Sequence, residues 1–131
     1  MPKRQTSRTA GEPPAAGRER PRRSDCPIAC TLDVVGDRWT LLVVRDLLRG
    51  KARYGDFLSS PEAIPTNILA DRLKRLEEAG LVETRPYSEH PPRFEYHLTP
   101  QGHELASIVR AIARWGLAHL PDTHASGDIP D

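Results

Sequence analysis

The 131-residue sequence contains no long apolar run. Charge interrupts every hydrophobic stretch well before the roughly 20 residues that a bilayer-spanning helix requires, so no membrane association is expected. No apolar segment follows the arginines and prolines of the first 24 residues, which argues against a secretory signal and for a cytoplasmic protein. Cysteine is scarce. Only Cys26 and Cys30 are present, and in a reducing compartment two thiols are the default; one helical turn apart, they point along the same face without the torsion that a disulfide needs. His90, His97, His103, His119 and His124 show no spacing that completes a zinc site with that pair, so neither metal nor other cofactor is expected. Also missing are a phosphate-cradling glycine loop and a nucleophile elbow. Glu77 and Glu78 read as a solvated pair rather than an acid/base dyad, and no enzyme is expected.

What is present is unevenly distributed charge. The formal net charge is +1. Residues 1–25 carry seven basic against three acidic side chains, or +4; residues 121–131 carry three acidic and none basic, or −3; residues 26–120 balance at twelve against twelve. The basic end, rich in Pro, Arg, Gly, Ala and Thr and without periodicity, is expected to be a disordered arm over residues 1–24, either adding phosphate contacts or simply solvated. Residues 121–131 are expected to be a disordered acidic tail. One compact domain then spans residues 25–120.

Within it, Asp25 or Cys26 caps a first helix with Pro27 in its first turn. Ile28, Leu32 and Val35 fall at i, i+4 and i+7 and bury one face. Gly36 ends this helix and Asp37 caps the next, over residues 38–49, whose Trp39, Leu41, Leu42, Val44, Leu47 and Leu48 make it apolar on most sides and therefore central. A short third helix over residues 53–58 turns Phe57 and Leu58 inward, and two prolines in residues 59–65 mark a turn. From Thr66 onward, Leu69, Leu73 and Leu76 repeat at helical spacing with Ile68 beside them, until Gly80. Residues 81–87 and 93–98 carry β-formers and suit two antiparallel strands, joined by a loop that Pro91 and Pro92 stiffen. Thr99 as cap and Pro100 at the first position open a last helix with a broad stripe of Leu105, Ile108, Val109, Ile112, Trp115 and Leu120.

Helix, turn, helix and two-stranded ribbon in this order make a winged helix-turn-helix of the α+β class, mainly α, which presents one helix and one loop to a DNA duplex. The face of the Thr66 helix opposite its leucine stripe carries Asn67, Asp71, Lys74 and Glu78, with Ala70 and Arg75 at its margins. Thr66, Asn67, Ala70, Asp71, Lys74 and Arg75 are the candidates there for DNA contact, as are Arg93 and His90 in the wing and Arg53 before the third helix. The neutral body lacks the overall basic bias of a DNA binder. Local clustering of Arg38, Arg45, Arg49, Lys51, Arg53, Lys74, Arg75 and Arg93 on one side would supply it. The last stripe exceeds what one small domain covers, so with the first helix it suggests a homodimer interface of Ile28, Leu32, Leu105, Ile108, Val109, Ile112 and Trp115. Packing within the chain is the alternative.

Cys26-Pro27, Val35-Gly36-Asp37-Arg38-Trp39-Thr40, Arg53-Tyr54-Gly55-Asp56-Phe57, Leu69-Ala70-Asp71-Arg72-Leu73, Leu76-Glu77, Gly80-Leu81-Val82, Pro91-Pro92-Arg93-Phe94-Glu95-Tyr96, Leu98-Thr99 and Gly102 follow in order. Together, over roughly residues 26–118, they resemble the HxlR-type winged-helix transcriptional regulators, which are related to the MarR group. The resemblance implies a homodimeric transcription factor on a pseudo-palindromic double-stranded DNA operator, with N- and C-terminal dimerisation helices, a recognition helix from Thr66 and a wing over residues 87–93. Some members of that family sense oxidants or electrophiles through a cysteine where Cys26 stands, which implies the same response here; a small-molecule effector is a separate expected partner. Tyr54 stands where the family more often has Phe. A different class stays open: a winged-helix protein-interaction module without DNA binding, as the neutral body would allow.

Overall fold

Gly36 breaks the first helix, and the chain reverses through Asp37, whose carboxylate accepts the amides of Trp39 at 3.0 Å and Thr40 at 3.2 Å. A computed structural model describes residues 22–125; most of the expected arm and tail lies outside them. The elements are α1 (Pro27–Val35), α2 (Thr40–Leu48), α3 (Tyr54–Leu58), α4 (Thr66–Glu78), β1 (Val82–Glu89), β2 (Pro92–Leu98), α5 (Pro100–His103) and α6 (Ala106–His119). The chain is thus mainly helical with one two-stranded antiparallel sheet, the winged helix-turn-helix expected.

The core forms where α2, α4 and the ribbon meet. Val44, Phe57 and Leu69 are fully buried, and Leu73 and Leu76 are nearly so. The period-3.6 stripe of α4 therefore does what its spacing predicts. Phe57 points inward but Leu58 does not; it remains 38% exposed because a five-residue helix turns only one edge to the core. Gly80, at φ +76°, takes the left-handed conformation that ends α4 and lets the Leu81 amide return to the Leu76 carbonyl at 2.9 Å.

In the ribbon Val82 faces Leu98, Thr84 faces Tyr96 and Pro86 faces Phe94. The register shifts at Tyr87, after which Ser88 faces Arg93 and Glu89 faces Pro92. The strands run closer to the wing tip than the prolines suggest, because Pro92 opens β2 where no ladder N–H is required. Ser88 also donates its hydroxyl to the Pro91 carbonyl at 2.9 Å.

The last helix is two helices. Thr99 accepts the Gly102 amide at 3.1 Å and donates its hydroxyl to the Gly80 carbonyl at 2.7 Å. Gly102 itself seats on the Leu81 carbonyl so closely that a Cβ would stand 2.1 Å from that oxygen. Tight bonds from the Glu104 amide to Gln101 and from the Leu105 amide to Gly102 then redirect the chain before α6 starts. The apolar stripe divides farther on, within α6. Leu105 packs against the core and Val109 belongs to it, 8% exposed, so Val109 is not free for a partner. Beyond them Ile112, Trp115, Leu117 and Leu120 are between 48% and 60% exposed. On α1 only Val35 is buried, while Ile28 and Leu32 face outward with Val34.

Candidate nucleic-acid interface

The outer face of α4 is open. Thr66, Asn67, Ala70, Asp71, Lys74 and Arg75 are all exposed, as are Arg53, His90 and Arg93. No side chain caps the first turn of α4, where Pro65 precedes Thr66. Amides at such a terminus carry the positive end of the helix dipole.

Two consecutive residues bring the start of α4 and the root of the wing together. Tyr54 donates its hydroxyl to the Thr66 carbonyl at 3.2 Å. Arg53 donates through Nε to Glu95 at 3.1 Å and lays its guanidinium 3.7 Å from the centroid of the Tyr87 ring. Beside them the Tyr96 amide of β2 donates to the Ala52 carbonyl at 2.8 Å, so the chain before α3 continues the ribbon's outer edge. Glu95 also bonds His97 at 3.1 Å, and hydrogen bonds from His97 and then Arg53 hold its carboxyl below the usual range.

The inner flank of α4 is fixed to α2. Arg72 donates through Nε to Asp37 at 2.8 Å, and Thr40 donates its hydroxyl to the same carboxylate. Burial alone would raise the Asp37 carboxyl, but the bonds from Thr40, Arg72 and the Trp39 amide, with the charge of Arg72, outweigh it and hold the group at about 2 against an ordinary 3.8. Arg72 also pairs with Asp71, which in turn takes Arg75 at 3.1 Å. The turn between α3 and α4 is tied down in the same way. Arg45 clasps Glu62 with both terminal nitrogens, at 2.9 and 2.8 Å, which lowers the Glu62 carboxyl. Buried Asp46 accepts from Ser60 at 2.6 Å and from Arg45 at 3.0 Å, and Lys51 donates to Ser60 at 2.6 Å.

The basic cluster read from the sequence is therefore largely engaged. Arg45, Lys51, Arg53 and Arg75 are in ion pairs, and Arg38 lies 5.4 Å over the Trp39 ring. Among the described residues, Lys74 and Arg93 are in no ion pair. Asp71, expected to face DNA, is the acceptor of two arginines. Sequence reasoning did not find Tyr54, Arg72 or Glu95 as organisers of this region, because their partners lie far along the chain.

At the other end, Cys26 is the exposed cap of α1 and Cys30 is partly buried; both are free thiols. Ser24 fixes the approach to α1, accepting the Cys26 amide at 3.0 Å through its hydroxyl and the Cys30 thiol at 3.2 Å through its carbonyl. Of the expected arm, residues 22–24 are described, and there Arg23 donates to Asp33 at 2.7 Å and to the Ala29 carbonyl at 3.2 Å. Among the described residues, no group of three or more His, Cys, Asp and Glu side chains is arranged to hold a metal, and no helix is long and apolar enough to cross a membrane.

The family described as HxlR-like helix-turn-helix matches residues 34–124. Rv3095 of Mycobacterium tuberculosis, named an uncharacterised HTH-type transcriptional regulator, is 41% identical over 90 residues, covering 69% of this chain and 56% of that protein. The chain thus spans little more than half of that relative's length. Among solved structures, PA1607, described as a candidate transcription factor, aligns with a TM-score of 0.70 at 37% identity, covering 84% of this chain and 82% of that one. The redox regulator HypR in its oxidised form aligns with a TM-score of 0.66 at 34% identity, covering 72% of this chain and 97% of that one.

Proposed function

Because the chain belongs to the HxlR-like helix-turn-helix family of transcriptional regulators, we propose that it binds a pseudo-palindromic operator as a homodimer and represses transcription from it. The observation that carries this reading is the pairing of Arg53 with the wing and Tyr54 with the start of α4, which keeps helix and wing side by side. α4 enters a major groove with Asn67 toward adenine and Lys74 toward guanine or phosphate; a good bidentate base contact discriminates by about 1–3 kcal/mol. Thr66, Ala70, Asp71 and Arg75 line the same face, and Arg93 with His90 reaches the backbone or minor groove beside it.

Two copies are required to read two half-sites about 34 Å apart. The unpartnered apolar residues of the terminal helices, Ile28 and Leu32 on α1 and Ile112 and Trp115 on α6, support a joint between copies. Leu105 and Ile108 flank it, and Val34 and Leu117 extend it. Cys26 is the proposed sensor: an exposed residue with a free thiol at the N-cap of α1, where a reagent can reach it from solvent. That HypR is a redox regulator supports the assignment.

The test is a gel-shift titration on the DNA flanking the chain's own gene, with salt varied. Lys74→Ala and Arg93→Ala are each expected to weaken binding several-fold and to lower the log–log salt slope by about 0.9 for each phosphate no longer neutralised. Unchanged affinity in both variants removes the proposed face. The internal engagement of Arg45, Lys51, Arg53 and Arg75 favours the competing reading, an interaction module. Such a module would not retard this DNA even at low salt.

A further inference from the structure

Arg53 is an exposed arginine at the rim of the proposed DNA face, and by position alone it reads as a phosphate contact. Its surroundings argue otherwise. Its Nε is directed 3.1 Å to the Glu95 carboxylate, and the guanidinium plane rests against Tyr87 at 3.7 Å, which turns the head toward the wing. Glu95 and Tyr87 come from the two different strands of the wing. Tyr87 stands where the ribbon's register shifts, the point at which an antiparallel pair bends. Arg53 is itself fixed from behind: its amide donates to Asp56 at 3.2 Å and its carbonyl accepts the Asp56 amide at 2.9 Å, locking the first turn of α3. The next residue, Tyr54, grips α4.

We propose that Arg53 is a positioning residue: a strut from the first turn of α3 to both strands of the wing, which sets the wing's angle against α4 and takes no part in DNA contact itself. Arginine suits the role because its planar fork bonds a carboxylate and stacks on a ring at once, which a lysine ammonium cannot do. Glu95, though acidic and beside a DNA-facing ribbon, then aids binding by holding the strut. The proposal rests on the DNA-binding reading, and the two are separable by experiment.

Full-length wild type, R53A, R53K, E95Q and the R53A/E95Q double variant are titrated against a short labelled duplex of the DNA flanking the gene, over a range of salt concentrations. Thermal unfolding of each variant is followed in parallel. The expected result is a loss of roughly fivefold for R53A, the scale of one exposed ion pair plus one cation–π contact. R53K and E95Q lose a similar factor, the double variant loses no more than either single one, and the salt slope stays at the wild-type value. Retained melting temperatures place the effect in the wing's position rather than in the fold as a whole. If R53A lowers the slope by about 0.9, R53K binds as wild type and E95Q binds more tightly, Arg53 is a phosphate contact and the strut is refuted. If the wild type binds no duplex at low salt, the DNA reading fails and the inference falls with it.

Discussion

Asp37→Asn isolates the charge that holds α4 to α2. The carboxylate gathers the amides of Trp39 and Thr40, the Thr40 hydroxyl and the Arg72 guanidinium, and is held at about 2 against 3.8. At ~1.4 kcal/mol per pH unit, that gap is an upper bound of ~2.5 kcal/mol of native stability. Partial solvent contact reduces it, and an asparagine oxygen still accepts a backbone amide, so the variant should lose about 1–1.5 kcal/mol at pH 7. The sign follows from linkage. A carboxyl whose native value is depressed stabilises the fold above the unfolded value and surrenders that contribution as pH falls through the native one. The deficit of Asp37→Asn should therefore be full at neutral pH, shrink below about pH 4 and be nearly gone near pH 2. Urea unfolding of both proteins at a series of pH values measures it directly. A deficit that is the same at pH 3 as at pH 7 would show that shape, not charge, is what the substitution removes; no deficit at pH 7 would refute the anchoring itself.

Gly102→Ala places a methyl group 2.1 Å from the Leu81 carbonyl oxygen, so the ribbon and α5 must separate; a loss of about 2–3 kcal/mol in denaturant unfolding is expected, and less than about 0.5 kcal/mol would show that the contact is soft. Cys26→Ser should bind DNA as wild type but keep binding after hypochlorite or quinone treatment that releases the wild type; a normal response from the variant disproves sensing at this thiol. Ile112→Glu combined with Trp115→Glu should halve the mass seen by light scattering while leaving the core intact, because both side chains are more than half exposed in the single chain. A mass that does not change refutes a joint at these residues.

Much of the fold is legible in the sequence because it rests on local periodicity. Leu69, Leu73 and Leu76 recur at 3.6-residue spacing and all three are buried, and the cap at Thr99 is visible from Thr-Pro alone. The break after α5 is not legible. Gly102 must meet a carbonyl 21 residues earlier, while the stripe of Leu105, Ile108, Val109 and Ile112 runs on as if one helix carried it. Within α6, Val109 and Ile112 belong to one stripe on a helical wheel yet part company, one in the core and the other outside it, because the core reaches only the first turns of that helix.

Charge is where the sequence informs least. A wheel places Asp71, Lys74 and Arg75 on one outward face, and that placement is correct, but it is silent about which charges already have partners. Arg72 finds Asp37 across 35 residues and Arg53 finds Glu95 across 42. Such pairs screen much of the apparent basic cluster and, of its members, leave Lys74, Arg93 and the Trp39-stacked Arg38 outside the ion pairs described. Binding that depends on neutralised phosphates grows with their number, each adding about 0.9 to the salt exponent. With few cations of this face free of internal ion pairs, a single copy should neutralise few phosphates, and the proposed pairing of two chains would double the exponent. The exposed apolar residues of α1 and α6 and the sparse unpaired charge of α4 both favour the proposed pairing of two chains on one duplex.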